Sequence, residues 1–212
     1  LPFCLYLIYE GDYWFTLVLP IIALLFANLT FKPILHFTIP TPFWKFPFEF
    51  IIGFRKLFWL VIVGFFLTFQ AIQVENHNLG FFSLGLQFFI ALAYYNQPEN
   101  PYFVWIFKRS SLQFLSKKIM DSLICSSLIT FLTFGSLLFS FPEDWLILLG
   151  IQIFGYVLLL AIILAKYAAF PLEMSLPQVL VYTISLIFPP LFLITIPMFY
   201  KQANQKLKPF LK

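Results

Sequence analysis

Long apolar runs separated by short polar punctuation organise this chain. Charged residues and proline clusters divide it into six apolar segments, at approximately 14–31, 51–73, 79–95, 120–141, 145–168 and 178–200. Most reach the roughly 20 residues that about 30 Å of hydrocarbon requires at a rise of about 1.5 Å per residue, and the third is nearest the lower limit. None alternates as a barrel strand does, and a segment in lipid must satisfy its own backbone hydrogen bonds, so each is predicted to be an α-helix. The expected fold class is all-α: a polytopic transmembrane helical bundle of about six membrane segments, forming one transmembrane domain over residues 1–212. The opening LPFCLYLIY is too short to cross and is followed by Glu10, Gly11 and Asp12. Residues 1–13 read as an outer interfacial lead-in, or as the end of a segment further upstream, without the basic n-region and small-residue cleavage site of a signal peptide.

Basic residues set the orientation. The connection between the first two segments, with the start of the second, carries Lys32, Lys45, Arg55 and Lys56, and that between the third and fourth carries Lys108, Arg109, Lys117 and Lys118. Residues 1–13, 74–78 and 142–144 contain no basic residue and hold Glu10, Asp12, Glu75, Glu143 and Asp144 instead. Basic connections stay cytoplasmic, so the N-terminus is expected outside and the two long connections inside. The basic tail, residues 201–212, breaks this pattern: six full crossings put it outside, yet it holds Lys201, Lys206, Lys208 and Lys212. The segment before it is interrupted at Phe188-Pro189-Pro190, with Pro197 beyond. Either a kinked helix carries the tail across, or two halves form a re-entrant hairpin that returns it. Length favours the kinked crossing and charge the hairpin.

Composition agrees with lipid as the solvent. The chain is 61% hydrophobic and 10% charged, with a mean hydropathy of +0.92, where a soluble domain is about 45–50% apolar and about 25% charged. The 31 phenylalanines read as lipid-facing residues favoured by AT-rich codons rather than as a cofactor box. Cys4 and Cys125 lie in apolar stretches, His36 and His77 in short connections, and no spacing among them matches a metal site, so neither a metal nor a cofactor is expected.

An enzyme is not expected either. The chain has no G-x-S-x-G, no H-E-x-x-H and no paired carboxylates at helical spacing within a segment. Gln70, Gln73, Gln87 and Gln152 have no ionisable partner at helical spacing and read as helix–helix hydrogen-bonding groups. Lys166, in LAKYAAF near a segment end, is expected to snorkel to the cytoplasmic interface. Without a phosphate-binding Gly-rich loop, energy for transport would come from a partner or an ion gradient. Nothing points to nucleic acid.

The cytoplasmic connection of residues 96–119 is the informative stretch. Pro98 and Pro101 end the third segment, and Ser110 followed by Gln113 forms a capping-box pattern that starts a helix near Ser111. Leu112, Leu115 and Ile119 share one stripe, Gln113 and Lys117 lie opposite, and Phe114 falls off the stripe on the Lys118 side. This predicts a short amphipathic helix under the membrane with Phe114 as a docking ring, and Leu112, Leu115, Lys117 and Lys118 as the rest of the candidate docking set. The plainer alternative is an interfacial helix resting on headgroups, held by Trp105 and the basic residues. The other inner connection, TIPTPFWKFPFEF, holds Pro40, Pro42 and Pro47 and reads as an extended connector, with Trp44 and Lys45 suited to headgroups.

The segment PENPYFVWIFKRSSLQFLSKKI resembles the coupling region of bacterial ABC-type exporter permeases of the ABC-2 kind, which also have six hydrophobic segments, short outer loops and a cytoplasmic amphipathic helix. The resemblance implies a permease subunit of the bacterial cytoplasmic (inner) membrane, coupled to a separate cytosolic ATPase and paired with other membrane subunits or a second copy. The chain departs from those permeases in placing this region after the third segment and in starting outside. The alternative from another class is a non-transporting structural or assembly subunit of a larger cell-envelope complex. A chamber holding convergent polar side chains would instead favour an intramembrane enzyme.

Overall fold

The computed structural model describes residues 39–43, 48–96, 99–107 and 110–211. The predicted segment 14–31, the lead-in, Trp44, Lys45, Lys108, Arg109 and Lys212 lie outside them.

Among the described residues the fold is all-helical. Helix α1 spans Phe48–Gln73, α2 His77–Ala93, α3 Pro101–Trp105, α4 Ser111–Ser140, α5 Trp145–Ala169, α6 Leu176–Ile187 and α7 Phe192–Leu207. Single 3-10 turns precede α5, at Pro142–Asp144, and α7, at Pro189–Leu191. Three stretches are long and apolar enough to cross a membrane: Phe48–Gln73, Ser111–Ser140 and Pro142–Ala169. Helices α2 and α6 are shorter apolar helices. The described part of the six-segment expectation therefore rests on three long helices and several shorter ones.

Caps explain several boundaries. Asn76 accepts from the Leu79 N–H at 3.0 Å to start α2, Asn100 from Tyr102 N–H at 3.0 Å to start α3, and Ser110 from Gln113 N–H at 3.3 Å to start α4. Helix α4 then runs unbroken for 30 residues. The short helix expected near Ser111 is the first turns of this long helix, not a separate amphipathic piece.

Helix α1 packs on α2 and α4, and α5 packs on α2, α4 and α7. Hydroxyls and amides link the buried faces, as interhelical contacts in lipid require. Thr68 Oγ1 lies 3.0 Å from Ser83 Oγ and 3.3 Å from Thr133 Oγ1, joining α1, α2 and α4. Gln87 donates to Thr133, and Gln152 donates to Thr130 at 3.0 Å, so these two glutamines have the interhelical role expected of them. Close approach depends on Gly155, where a Cβ would stand 2.4 Å from the Phe88 ring.

The last apolar segment is a hairpin. Tyr182 of α6 and Phe192 of α7 bring their rings to 6.1 Å, and the Ser185 and Thr195 hydroxyls lie 3.4 Å apart. Ten residues of continuous helix would separate such pairs by about 15 Å. Helix α7 runs parallel to α5, since Phe192 sits 6.4 Å from Phe154 and Phe210 5.1 Å from Phe170. The tail thus ends beside the C-terminus of α5 and the start of α4, where Ser111 hydrogen-bonds Asn204. Helix α6, with 12 residues, is about 18 Å long and cannot cross a hydrocarbon core of about 30 Å. The turn between the halves contains Pro189 and Pro190, which bring no N–H needing a partner. Leu191 N–H donates to the Phe188 carbonyl at 3.0 Å.

The bundle therefore has two chemically distinct ends. The first turns of α1 and α4, the last turn of α5 and the end of α7 share a basic end. Glu75, Glu143 and Asp144 mark the opposite, acidic end, where His77 hydrogen-bonds Asp144 across the starts of α2 and α5.

Candidate functional site

At the basic end, three helices and one connection bring four ionisable side chains into contact. Glu49 lies in the first turn of α1, Lys118 two turns into α4, Lys166 in the last turn of α5, and Glu99 just before α3. Lys118 Nζ donates to both Glu49 oxygens at 3.1 Å and to Glu99 Oε1. Lys166 Nζ reaches Glu49 Oε1 at 3.2 Å, and the Tyr167 hydroxyl donates to Glu99 Oε2 at 2.6 Å. Glu49, Lys118 and Lys166 are only 8%, 5% and 5% exposed. Two acids and two bases cancel in formal charge, which is how charged groups persist away from water.

Aromatic rings complete the surroundings. Lys118 Nζ lies 5.7 Å from the Phe114 ring centre and 5.8 Å from that of Phe107. Lys166 Nζ lies 5.3 Å from the Tyr95 ring and 5.7 Å from that of Tyr167. All four separations suit cation–π attraction. Lys166 was expected to snorkel outward; it turns inward because Glu49 offers a counter-charge that the sequence separates from it by more than a hundred residues.

A chamber of about 440 Å³ opens on this cluster. Its polar lining comes from Glu49, Lys56, Asn96, Glu99, Asn100 and Lys166, and its apolar lining includes Phe48, Ile52, Leu57 and Phe103. Gly53 also borders it, and a Cβ there would stand 2.2 Å from the Tyr94 ring, so this wall keeps its shape only with glycine.

The five residues of the expected docking set separate. Phe114 is 1% exposed and packs edge-on against Tyr167 at 5.3 Å and Phe107 at 5.4 Å. Leu115 is fully buried, and Lys118 is buried in the ion cluster. None of these three presents a surface to a partner. Leu112 is 46% exposed, and Lys117 is exposed with an i,i+4 ion pair to Asp121 at 3.2 Å, so only these two remain at the surface. The buried positions 111, 114, 115, 118 and 122 form an inward stripe at helical spacing that continues through Cys125, Ser126 and Ile129. Most exposed rings of this connection belong to α3, whose Tyr102, Phe103 and Trp105 are exposed while Val104 is buried, and Phe107 just beyond it is exposed as well.

Chemically, the cluster binds and positions charge. The chamber does gather convergent polar side chains, the feature that would favour an intramembrane enzyme, but its Lys166 amine is ion-paired with Glu49 and no described serine, threonine or cysteine lines it. At the acidic end His77, Glu143 and Asp144 place their ligand-type atoms within 4.8 Å of one another, and a hydrogen bond joins His77 to Asp144. No protein family, curated protein or solved structure matches the chain.

Proposed function

We propose that the chain is a membrane-spanning subunit of a transporter, the permease part of an exporter of the ABC kind driven by a separate ATPase. The observation that carries this reading is the chamber. Glu49 of α1 and Lys166 of α5 line a cavity of about 440 Å³, and Lys118 of α4 pairs with Glu49 behind it. Ionisable groups among membrane helices are expensive, and where they persist they mark substrate or ion paths. In this reading segment 14–31, α1, α2, α4 and α5 cross the bacterial inner membrane and the α6–α7 hairpin re-enters it. The basic connections and the tail then all face the cytoplasm, which removes the conflict that six crossings create.

The ATPase would meet the connection of residues 96–119, with the outward rings of α3 in the place first expected of Phe114. Buried Val104 and the Glu99 contacts with Lys118 and Tyr167 tie α3 to the bundle, so a push on α3 reaches the chamber. The test needs no known substrate. Asn96→Cys, at the chamber wall, is placed in a chain carrying Cys4→Ser and Cys125→Ala and labelled in inside-out membrane vesicles with a membrane-impermeant maleimide. The labelling rate changes several-fold when ATP is added, and Trp105→Ala abolishes that response while leaving the basal rate. A rate indifferent to both ATP and ion gradients replaces transport with the structural-subunit reading.

A further inference from the structure

The two lysines of the buried cluster are unequally occupied. Lys118 directs its ammonium to three carboxylate oxygens. Among the described residues Lys166 donates one hydrogen bond, to Glu49 Oε1 at 3.2 Å, although an ammonium has three donors. Lys166 is 5% exposed and forms part of the chamber wall. Both carboxylates are already engaged: Glu49 by Lys118 and Lys166, Glu99 by Lys118 and Tyr167. Lys56 adds a second cation to the lining. Asn100 uses its carbonyl oxygen to cap α3, which leaves its amide N–H groups as donors at the same wall. The chamber wall therefore offers surplus donors from Lys166, Lys56 and Asn100, while its two acids, Glu49 and Glu99, are already held by the buried Lys118 behind them.

The apolar part of the wall says what else the ligand carries. Phe48, Ile52 and Phe103 line the chamber and are also exposed on its outside. Beyond Arg55, Lys56 and a break in helical geometry at Leu57, α1 again exposes apolar side chains at Trp59, Ile62 and Phe66. A volume of about 440 Å³ falls within the usual range of small-molecule sites, about 300–1,000 Å³. It suits a headgroup and the first carbons of a chain, while the rest of the chain lies along α1. With α1 spanning as proposed above, Glu49 in its first turn stands at the end of the span, toward the bilayer surface.

We infer that the chamber is a headgroup pocket for an anionic amphiphile, a phosphate or carboxylate carrying a hydrocarbon chain. Lys166, Lys56 and Asn100 hold the anion, and the chain leaves between Phe48, Ile52 and Phe103 into the bilayer. This names the ligand class of the chamber proposed above as a transport site, and it rests on that reading of the chamber as a place where something binds. Binding itself requires no ATP.

The test uses the full chain, delipidated in neutral detergent and titrated under native mass spectrometry with dodecyl phosphate, phosphatidylglycerol, phosphatidylcholine and inorganic phosphate. One dodecyl phosphate or phosphatidylglycerol binds per chain at concentrations where phosphatidylcholine and inorganic phosphate do not. Lys56→Gln, at an exposed position, weakens binding about tenfold, as expected for one charge-assisted hydrogen bond. Ala93→Phe narrows the chamber without altering a charge and abolishes binding. Lys166→Met weakens binding at least as much as Lys56→Gln, judged on protein whose melting temperature shows that it is folded. Unchanged affinity in Lys56→Gln and Ala93→Phe overturns the inference, as does equal binding of phosphatidylcholine. Displacement by inorganic phosphate at matched concentration makes the site one for soluble anions and overturns the amphiphile. If binding fails while Asn96→Cys labelling still responds to ATP, only this inference falls; if binding holds and labelling never responds, only transport does.

Discussion

Replacing Lys118 with methionine asks whether the charge cluster holds the bundle together. Lys118 is the one side chain in the cluster that touches both acids, at 3.1 Å from each Glu49 oxygen and in contact with Glu99. Removing one member of a buried ion pair costs about 3–5 kcal/mol, because the other is left buried and uncompensated. Here each acid keeps a second partner, Lys166 at 3.2 Å for Glu49 and the Tyr167 hydroxyl at 2.6 Å for Glu99. The chamber also admits water to one side. The lower end of the range, about 3 kcal/mol, is therefore expected, or roughly 6–12 °C in melting temperature for a chain of this size. The assay is thermal unfolding in detergent, followed by the loss of monodisperse protein on size exclusion. Glu99→Gln in the Lys118→Met background restores neutrality through the remaining Glu49–Lys166 pair. The double variant should be destabilised by at least about 1 kcal/mol less than the sum of the single changes. A Lys118→Met shift within about 0.5 kcal/mol of zero, or strict additivity, would refute the account of the cluster.

Three further outcomes are expected. Phe114→Ala lowers stability by about 3–5 kcal/mol, as for a large ring removed from a core, whereas Leu112→Ala, at an exposed position, leaves the melting temperature nearly unchanged. The hydrogen bond to Asp144, with the nearby charges of Asp144, Glu143 and Glu75, raises the His77 pKa above its ordinary 6.5 despite a smaller opposing effect of burial. A raised folded-state pKa gives stability that is complete below the unfolded value and lost as pH rises through the folded one. Melting temperature should thus decline as pH rises above the ordinary 6.5 and through the raised folded value, and His77→Gln should remove that component of the decline. Cysteines at Ser110 and Lys208 should label from the same side of sealed vesicles and one at Asn76 from the other, and labelling of Lys208→Cys with Asn76→Cys would refute the hairpin.

Much of the helix layout was legible because apolar length and punctuation report local physics. The stretches 51–73, 79–95, 120–141 and 145–168 fall within or nearly match α1, α2, α4 and α5, and Ser110 caps α4 as its spacing with Gln113 indicates. The hairpin was legible only as a conflict, with Pro189 and Pro190 and the tail lysines arguing against the length of the segment. The site was not legible, since Glu49, Glu99, Lys118 and Lys166 are scattered along the chain and no spacing rule joins them. The reading of Phe114 failed because a stripe chosen on Leu112, Leu115 and Ile119 ignores the longer one through Ser111, Phe114, Leu115, Lys118 and Ser122. The second stripe shows only when the first turns of α4 are read together with the polar small residues that follow. An isolated Lys118 next to a ring looks like a surface pair until the acids that neutralise it are found.

The α6–α7 hairpin also bears on how the chain would be inserted. A nascent helix of 12 residues is too short to partition into lipid as a spanning segment, so α6 has no stable resting place when it leaves the ribosome. Its turn and the polar positions Ser185 and Thr195 are satisfied within the hairpin, while Tyr182 and Phe192 bury themselves against Leu158 and Ala161 of α5. A hairpin whose buried rings pack on α5 is one that folds most readily once α5 is in place.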